Sequence, residues 1–203
     1  MTHVSPSPPQ RKRRRDPKGT RERLVRAAVD LFTTIGYHAS TTPQIAARAG
    51  VAEGTIYRHF SSKEHLLNEV YRAGVRVLAQ PLSDVGKHGG CKERLRAVAL
   101  EWRANVVGDP ATVSLVLSHR HDDLLDEDSR REWEQFKTIL DTVVASGKSA
   151  GEVRPGPAEV WCDVWLELVA FHLLQIAGGR WTPEQPAPNH VLDAAWDAIA
   201  NRV

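Results

Sequence analysis

One glycine, between two short apolar stretches, constrains this chain more than any other residue. It lies in Ile45-Ala46-Ala47-Arg48-Ala49-Gly50-Val51-Ala52-Glu53-Gly54-Thr55-Ile56-Tyr57. Two helices that cross closely need a small residue at the crossing, and Ala46 supplies it. The turn between them needs a positive φ, which Gly50 tolerates. The second helix must then bury one aliphatic side chain against the first, and Ile56 stands six residues beyond the glycine. A small residue, a glycine and a β-branched residue at spacings of four and six predict a helix-turn-helix.

The flanking sequence is helical by period. Leu24, Ala27, Ala28, Leu31, Phe32 and Ile35 recur at intervals of three and four, which predicts an amphipathic helix from Thr20, with Thr20 as cap and Gly36 as terminator. Thr42 followed by Pro43 predicts the start of a second helix, with Thr42 as its cap. A third short helix is expected over Glu53 to Phe60, and a fourth from about Ser62 through Lys63, Glu64, Leu66, Leu67 and Val70. Further helices are expected at Lys92–Val107, Pro110–His119, Asp128–Gly147, Ala158–Ala177 and Asn189–Asn201. Glycine and proline mark the breaks at Gly89-Gly90, Gly108-Asp109-Pro110, Gly151 to Pro157 and Gly178 to Pro188. No strand-type alternation and no internal repeat occur, so the fold class is all-α: an N-terminal three-helix helix-turn-helix domain and a larger C-terminal helical bundle that dimerises.

Charge divides the chain in the same place. Residues 1–71 carry 12 Lys+Arg against 6 Asp+Glu, while residues 72–203 carry 15 against 19. All six Trp follow residue 100. A basic head and an acidic, Trp-rich body predict different partners, with a polyanion for the head. The expected organisation is a basic arm at 1–19, a DNA-binding domain at 20–71 and a ligand-binding and dimerisation domain at 72–203. In the arm, prolines and the repulsion within Arg11-Lys12-Arg13-Arg14-Arg15 argue against helix. Such a run is either a solvated tail or a phosphate or minor-groove contact.

With 41% hydrophobic and 26% charged residues the chain can build a real core. No uninterrupted apolar run approaches the roughly 18 residues of a membrane span. The basic N-terminus lacks the apolar stretch of a secretory signal. Cys91 and Cys162 lie far apart with no CxxC pairing, which suits reduced thiols and a cytoplasmic location.

The span from Arg21 to Tyr71 resembles the DNA-binding domain of the TetR family of bacterial transcriptional regulators. The residues that carry the resemblance are Ala27-Ala28, Leu31-Phe32, Gly36, Thr41-Thr42, Ile45-Ala46, Ala49-Gly50-Val51, Gly54-Thr55-Ile56-Tyr57, His59-Phe60, Ser62-Lys63-Glu64 and Leu66-Leu67. The resemblance implies that the helix from Glu53 enters the major groove, with Gly54 in the matched motif and Thr55, Tyr57 and Arg58 facing base edges and phosphates. Arg58 fits either a bidentate guanine contact or a phosphate contact. Phosphate contacts are implied for Tyr57, His59 and Lys63, and Thr42 would grip another phosphate. The alternative for His59 is packing between helices. Ile56 and Phe60 read as core. The family usually has Ser or Thr where this chain has Ala52, a lost cap worth about 1 kcal/mol, which Arg13, Arg14 and Arg15 could offset by contacts elsewhere on the duplex.

In the body, Glu159, Asp163 and Glu167 form one narrow polar stripe on an otherwise apolar helix. So thin a wet face predicts burial on two sides, one against the domain and one against a second copy. Trp161 and Leu168 of this helix, with Trp196 and Ile199 of the last, are the expected dimer interface. This pairing is also the dimer mode that the resemblance implies, and it would present two recognition helices to a palindromic operator. Trp102, Arg103, Val106, Trp133, Phe136, Trp165 and His172 could line a pocket for a small apolar or aromatic effector, or be plain core.

No cofactor and no metal are expected. His119-Arg120-His121-Asp122-Asp123 has ligand chemistry but the wrong spacing for one helix face. Gly147-Lys148-Ser149 lacks the strand and first glycine of a phosphate loop. No nucleophile elbow, dinucleotide fingerprint or carboxylate pair occurs, so enzyme activity is not expected. The function expected is a DNA-binding regulator, a repressor released by a small-molecule ligand. The alternative is a DNA-binding dimer without effector, its body serving only for dimerisation.

Overall fold

In the computed structural model, residues 17–84, 89–118 and 122–202 are described, apart from the side chain of residue 84. Eight α-helices occur among them: α1 (Pro17–Thr34), α2 (Thr42–Arg48), α3 (Lys63–Asp84), α4 (Cys91–Gly108), α5 (Pro110–Leu117), α6 (Glu127–Ser149), α7 (Ala158–Ala177) and α8 (Pro186–Ile199). Short 3-10 helices lie at Glu53–Arg58 and Asp122–Leu124. The fold is all-α, with an N-terminal helix-turn-helix and a C-terminal helical body. The one extended pairing among the described residues is an isolated bridge between Val153 and Ala200.

Several boundaries differ from the expectation for physical reasons. The helix expected at Thr20 already begins at Pro17, because a proline in the first turn has no amide hydrogen to leave unpaired. Residues 17–19 therefore belong to α1 and not to the arm, while Arg13, Arg14 and Arg15 lie outside the described residues. Ile35 falls beyond α1 and is 47% exposed, so it is not part of the buried stripe. The cap of α2 is Thr41, not Thr42. Its side chain accepts from Gln44 N, and the Gln44 side chain accepts from Thr41 N at 2.8 Å, a reciprocal capping box. The segment expected as helix over Glu53 to Phe60 is a tighter 3-10 helix ending at Arg58. Ala52 at its start provides no side-chain cap. The break expected to last until Pro188 ends earlier, since Pro186 opens α8.

Gly36 and Gly50 take φ of 90° and 65°, so both turns of the N-terminal unit need a residue without Cβ. Against these turns Leu24, Ala28, Phe32, Ile45, Ile56, Phe60, Leu66 and Leu67 are buried and pack as one cluster. The cluster continues without interruption into the body, because α3 runs straight through from Leu66 past Leu78.

Within the body α7 packs against α4, α5, α6 and α8. It is long and apolar enough to cross a membrane, yet half of it is buried inside the fold and Asp163 and Glu167 interrupt it. Helices α4 and α6 approach closely at Gly147, where a Cβ would stand 2.4 Å from that of Cys91. The turn after α6 closes the bundle. Glu152 Oε2 accepts from Cys91 N at 2.9 Å and so caps α4, and Asn201 N donates to Glu152 O at 2.7 Å.

Candidate nucleic-acid interface

The 3-10 helix buries Ile56 at 2% exposure and turns Gly54, Tyr57 and Arg58 outward, with Thr55 half-buried. Tyr57 is 56% exposed, an unusual position for a large ring that could pack. It is held in place: Thr42 Oγ1 and Tyr57 OH lie 2.9 Å apart and share a hydrogen bond. The start of α2 is thereby tied to the recognition segment, and two expected phosphate contacts become one unit. His59 is half-buried, with its ring beside that of Phe60 at 6.4 Å.

Lys63 is placed differently from the expectation. It opens α3, but its ammonium donates to Tyr37 O and Ser40 O, both at 2.8 Å, and sits 4.1 Å from the centre of the Tyr37 ring. Burial pulls its pKa below the ordinary lysine value. Two of its three N–H groups are thus committed to the loop between α1 and α2. Lys63 fixes that loop rather than projecting toward a partner. The residues that aim α3 were not singled out: Ser62 Oγ accepts from His65 N at 2.9 Å, and Ser61 N donates to His65 Nδ1 at 3.1 Å. The spacing Ser62 to His65 was the signal available for this.

Three cations absent from the expected site lie around the junction of α1 and α2. Arg23, Arg26 and Arg48 line a surface cavity of about 330 Å³ beside Ala49. Arg48 is paired with Asp30. The other two guanidiniums add to the positive character of this face.

In the body, the expected pocket residues sit mainly as packing. Trp102, Val106, Phe136, Trp165 and His172 are buried, while Arg103 and Trp133 are half-buried. Ring centres stand 5.9 Å apart for Trp102 and Phe136, 5.8 Å for Trp102 and Trp165, and 5.0 Å for Trp133 and Phe136. These rings fill the space between helices with one another. Trp102 Nε1 donates to Leu78 O at 2.8 Å, the bond a buried indole needs. The cavity that Trp165 borders holds about 10 Å³, enough for one water. Arg103 donates to Asn189 Oδ1 at 3.0 Å. His172 differs: it is fully buried and neither ring nitrogen has a hydrogen-bond partner among the described residues.

Of the expected dimer residues, Ile199 is wholly buried in its own chain and so does not face a second copy. It faces inward because α8 lays its Leu192, Ala195 and Ile199 stripe on α7. Trp161 is half-buried; it donates to Pro155 O at 3.2 Å and lies under Arg154. Leu168 and Trp196 are half-buried on the core's edge. Beside them Val160 and Phe171 are exposed at 45% and 48%. His119, Arg120 and His121 lie outside the described residues.

A glycine turn that sets a short helix against a capped partner, with polar groups outward and one isoleucine inward, defines a helix-turn-helix DNA-binding protein. Residues 24–70 match the family model described as bacterial regulatory proteins of the tetR family. The chain is 29% identical over 136 residues to the fatty acid metabolism regulator protein of Bacillus subtilis, covering 66% of this chain and 70% of that one. A TetR family protein of known structure from Vibrio parahaemolyticus superposes with a TM-score of 0.67 at 29% identity, over 89% of this chain and 98% of that one. The fold is shared as well with the regulator FadR of Bacillus subtilis, solved with stearoyl-CoA, at a TM-score of 0.70 and 22% identity over 88% and 98% of the two chains. Residues 24–70 thus match the DNA-binding domain of TetR regulators, and the chain as a whole is similar in sequence and fold to transcriptional regulators of that family.

Proposed function

We propose that this chain works in the cytoplasm as a homodimeric repressor, released from a palindromic operator by a small-molecule effector with a large apolar part. The observation that carries the DNA side is the tethered, exposed Tyr57 opposite the buried Ile56. An aromatic hydroxyl held out in water on a rigid segment is arranged for a partner's phosphates, and Arg58 beside it for a base edge or a phosphate. Residues 20–71 would form the DNA-binding domain, with Arg13, Arg14 and Arg15 adding sequence-independent contacts, and residues 72–203 the body.

The dimer is supported by α7. Val160, Val164, Leu168 and Phe171 recur at four, four and three residues, and each is exposed or half-buried. A continuous apolar stripe of this kind is matched by its own copy across a two-fold axis, with Trp161 and Trp196 at its borders. The effector is supported by the relatives whose names concern fatty acid metabolism and whose structure holds stearoyl-CoA. Its leverage on the operator would equal its differential affinity for the two conformers. The close packing of Trp102, Phe136 and Trp165 favours the second reading, a DNA-binding dimer without effector.

Selection from random duplexes, followed by anisotropy titration and sedimentation, tests both. The expected result is a two-fold symmetric site bound by a dimer. Phe171→Asp should yield a monomer with duplex affinity reduced by about two orders of magnitude. Enrichment of no sequence, or a monomer binding as tightly as the parent, would defeat the proposal. Fatty acyl-CoA esters that leave the bound complex intact would favour the reading without effector.

A further inference from the structure

Around the recognition segment some of the groups suited to phosphates are already spent or missing. Lys63 is committed to Tyr37 O and Ser40 O, and Ala52 offers no hydroxyl. The tethered pair Thr42 and Tyr57 stands at the first residue of α2. The other end of the same helix carries a different set of groups. The surface cavity there, about 330 Å³, is lined by Arg23, Arg26, Ala27 and Asp30 of α1, by Arg48 of α2 and by Ala49. Three guanidiniums thus share it with one carboxylate. Arg48 pairs with Asp30 and is still exposed, and one carboxylate cannot take up all five N–H groups of a guanidinium. Arg23 is exposed, bonds Thr20 Oγ1 at 3.3 Å and has no ion pair among the described residues. Its Nη1 lies 3.9 Å from where a Cβ of Gly50 would stand, against the turn that leads into the recognition segment. Arg26 is exposed and also without an ion pair among the described residues, although Glu22 and Asp109 border the neighbouring cavity that it lines.

We propose that Arg23, Arg26 and Arg48 form a second phosphate grip, on the strand across the major groove from the strand held by Thr42 and Tyr57. Three like charges gathered at one place call for an anion beyond the single Asp30 carboxylate. A phosphate oxygen pair matches the guanidinium fork. The spacing suits a duplex. Thr42 and Arg48 are six residues apart on α2, about 9 Å along its axis. With the reach of an arginine side chain added, the two ends of α2 straddle a groove of roughly 12 Å. Contacts of this kind add affinity and fix orientation without reading bases. The inference rests on the reading of the chain as a DNA-binding regulator, for which it names the residues that hold the far strand.

The probes are the duplex recovered by selection and a mixed-sequence duplex, each titrated by anisotropy with the full-length chain over a series of salt concentrations. Arg23→Ala is expected to weaken both duplexes alike, roughly tenfold at about 0.1 M salt, and to lower the slope of log affinity against log salt by about 0.9 per chain bound. Arg26→Ala should act in the same direction. Arg23→Lys should restore the slope, because an ammonium still neutralises a phosphate. Lys148→Ala removes an exposed cation in the last turn of α6 and controls for net charge, so its slope should match the parent's. Phosphate ethylation interference then locates the contacts: Arg23→Ala should lose sensitivity on one strand and Thr42→Ala on the other. An unaltered slope in Arg23→Ala and Arg26→Ala overturns the proposal, as does an equal loss in Lys148→Ala. Loss of sensitivity on the same strand in Arg23→Ala and Thr42→Ala overturns it as well. In each of these outcomes the parent still selects and binds a duplex, so the regulator stands without this grip. A parent chain that selects no duplex removes both.

Discussion

Gly54 occupies the first turn of the 3-10 helix with a φ outside the left-handed region, is exposed, and, its two chain neighbours aside, has no atom of a described residue within 4 Å of where a Cβ would stand. Neither backbone strain nor packing within the chain requires glycine there, unlike Gly50 with its φ of 65°. Close approach by the proposed duplex would account for a glycine there. Gly54→Ala is accordingly expected to stabilise the fold by up to about 1 kcal/mol while weakening operator binding at least tenfold, read by urea unfolding and anisotropy on the same preparation. Equal or tighter duplex binding would place Gly54 outside the interface. Lys63 shows the limit of reading single residues. Its place in the motif was legible, but its ammonium answers to two loop carbonyls, Tyr37 O and Ser40 O, that lie 26 and 23 residues away in the chain. No local spacing encodes such a contact.

Element by element, period was the reliable signal. The apolar stripe of α1, the turn at Gly50 and the whole extent of α7 were legible because each is a local property of the chain. Caps were misplaced where two candidates stood side by side, as at Thr41 and Thr42, since only the reciprocal bond with Gln44 decides between them. The aromatic residues of the body were legible as apolar but not as pocket or core, because that depends on which rings meet across helices. His172 has a measurable consequence for α7. Burial, reinforced by the charge of Arg103, lowers its pKa to about 4. The unfolded ring titrates near 6.5, so as pH falls the unfolded chain takes up the proton first. Stability contributed by the neutral ring is complete above about pH 6.5 and is lost on descent toward pH 4, at roughly 1.4 kcal/mol per unit. His172→Leu should flatten unfolding free energy across that window by roughly 3 kcal/mol relative to the parent. Parallel curves for the two proteins would show that the ring is solvated in the native state.

At the scale of the whole molecule, a polar bridge joins the helix-turn-helix to the body beside their shared core. Arg21 of α1 pairs with Glu69 of α3. Glu69 also accepts from Arg72 Nη2 at 2.8 Å. Arg72 Nη1 in turn reaches Asp126 Oδ1 at 3.0 Å, Asp126 Oδ2 at 3.1 Å and Ser129 Oγ at 3.0 Å, where Asp126 caps α6. Asn68 closes the link, donating to Leu124 O at 3.1 Å and accepting from Asp126 N at 2.9 Å. Burial opposes the charge on Glu69 and Asp126, yet the hydrogen bonds to Arg72 and, for Asp126, Ser129 hold both carboxyls below the ordinary range. Arg72, 12% exposed at its side chain, therefore joins α1, through Glu69, to the first turn of α6. Arg72→Ala should cost about 2 kcal/mol, the scale of a lost charge-assisted hydrogen bond. Lysine at 72 should recover little of this, since it lacks the planar fork that meets two carboxylates at once. The deciding readout is hydrogen exchange. If the bridge couples the two parts, amides near Arg21 and those following Asp126 lose protection together, by more than the global change. If only the amides after Asp126 respond, the coupling runs instead through the apolar contacts of α1 with α5.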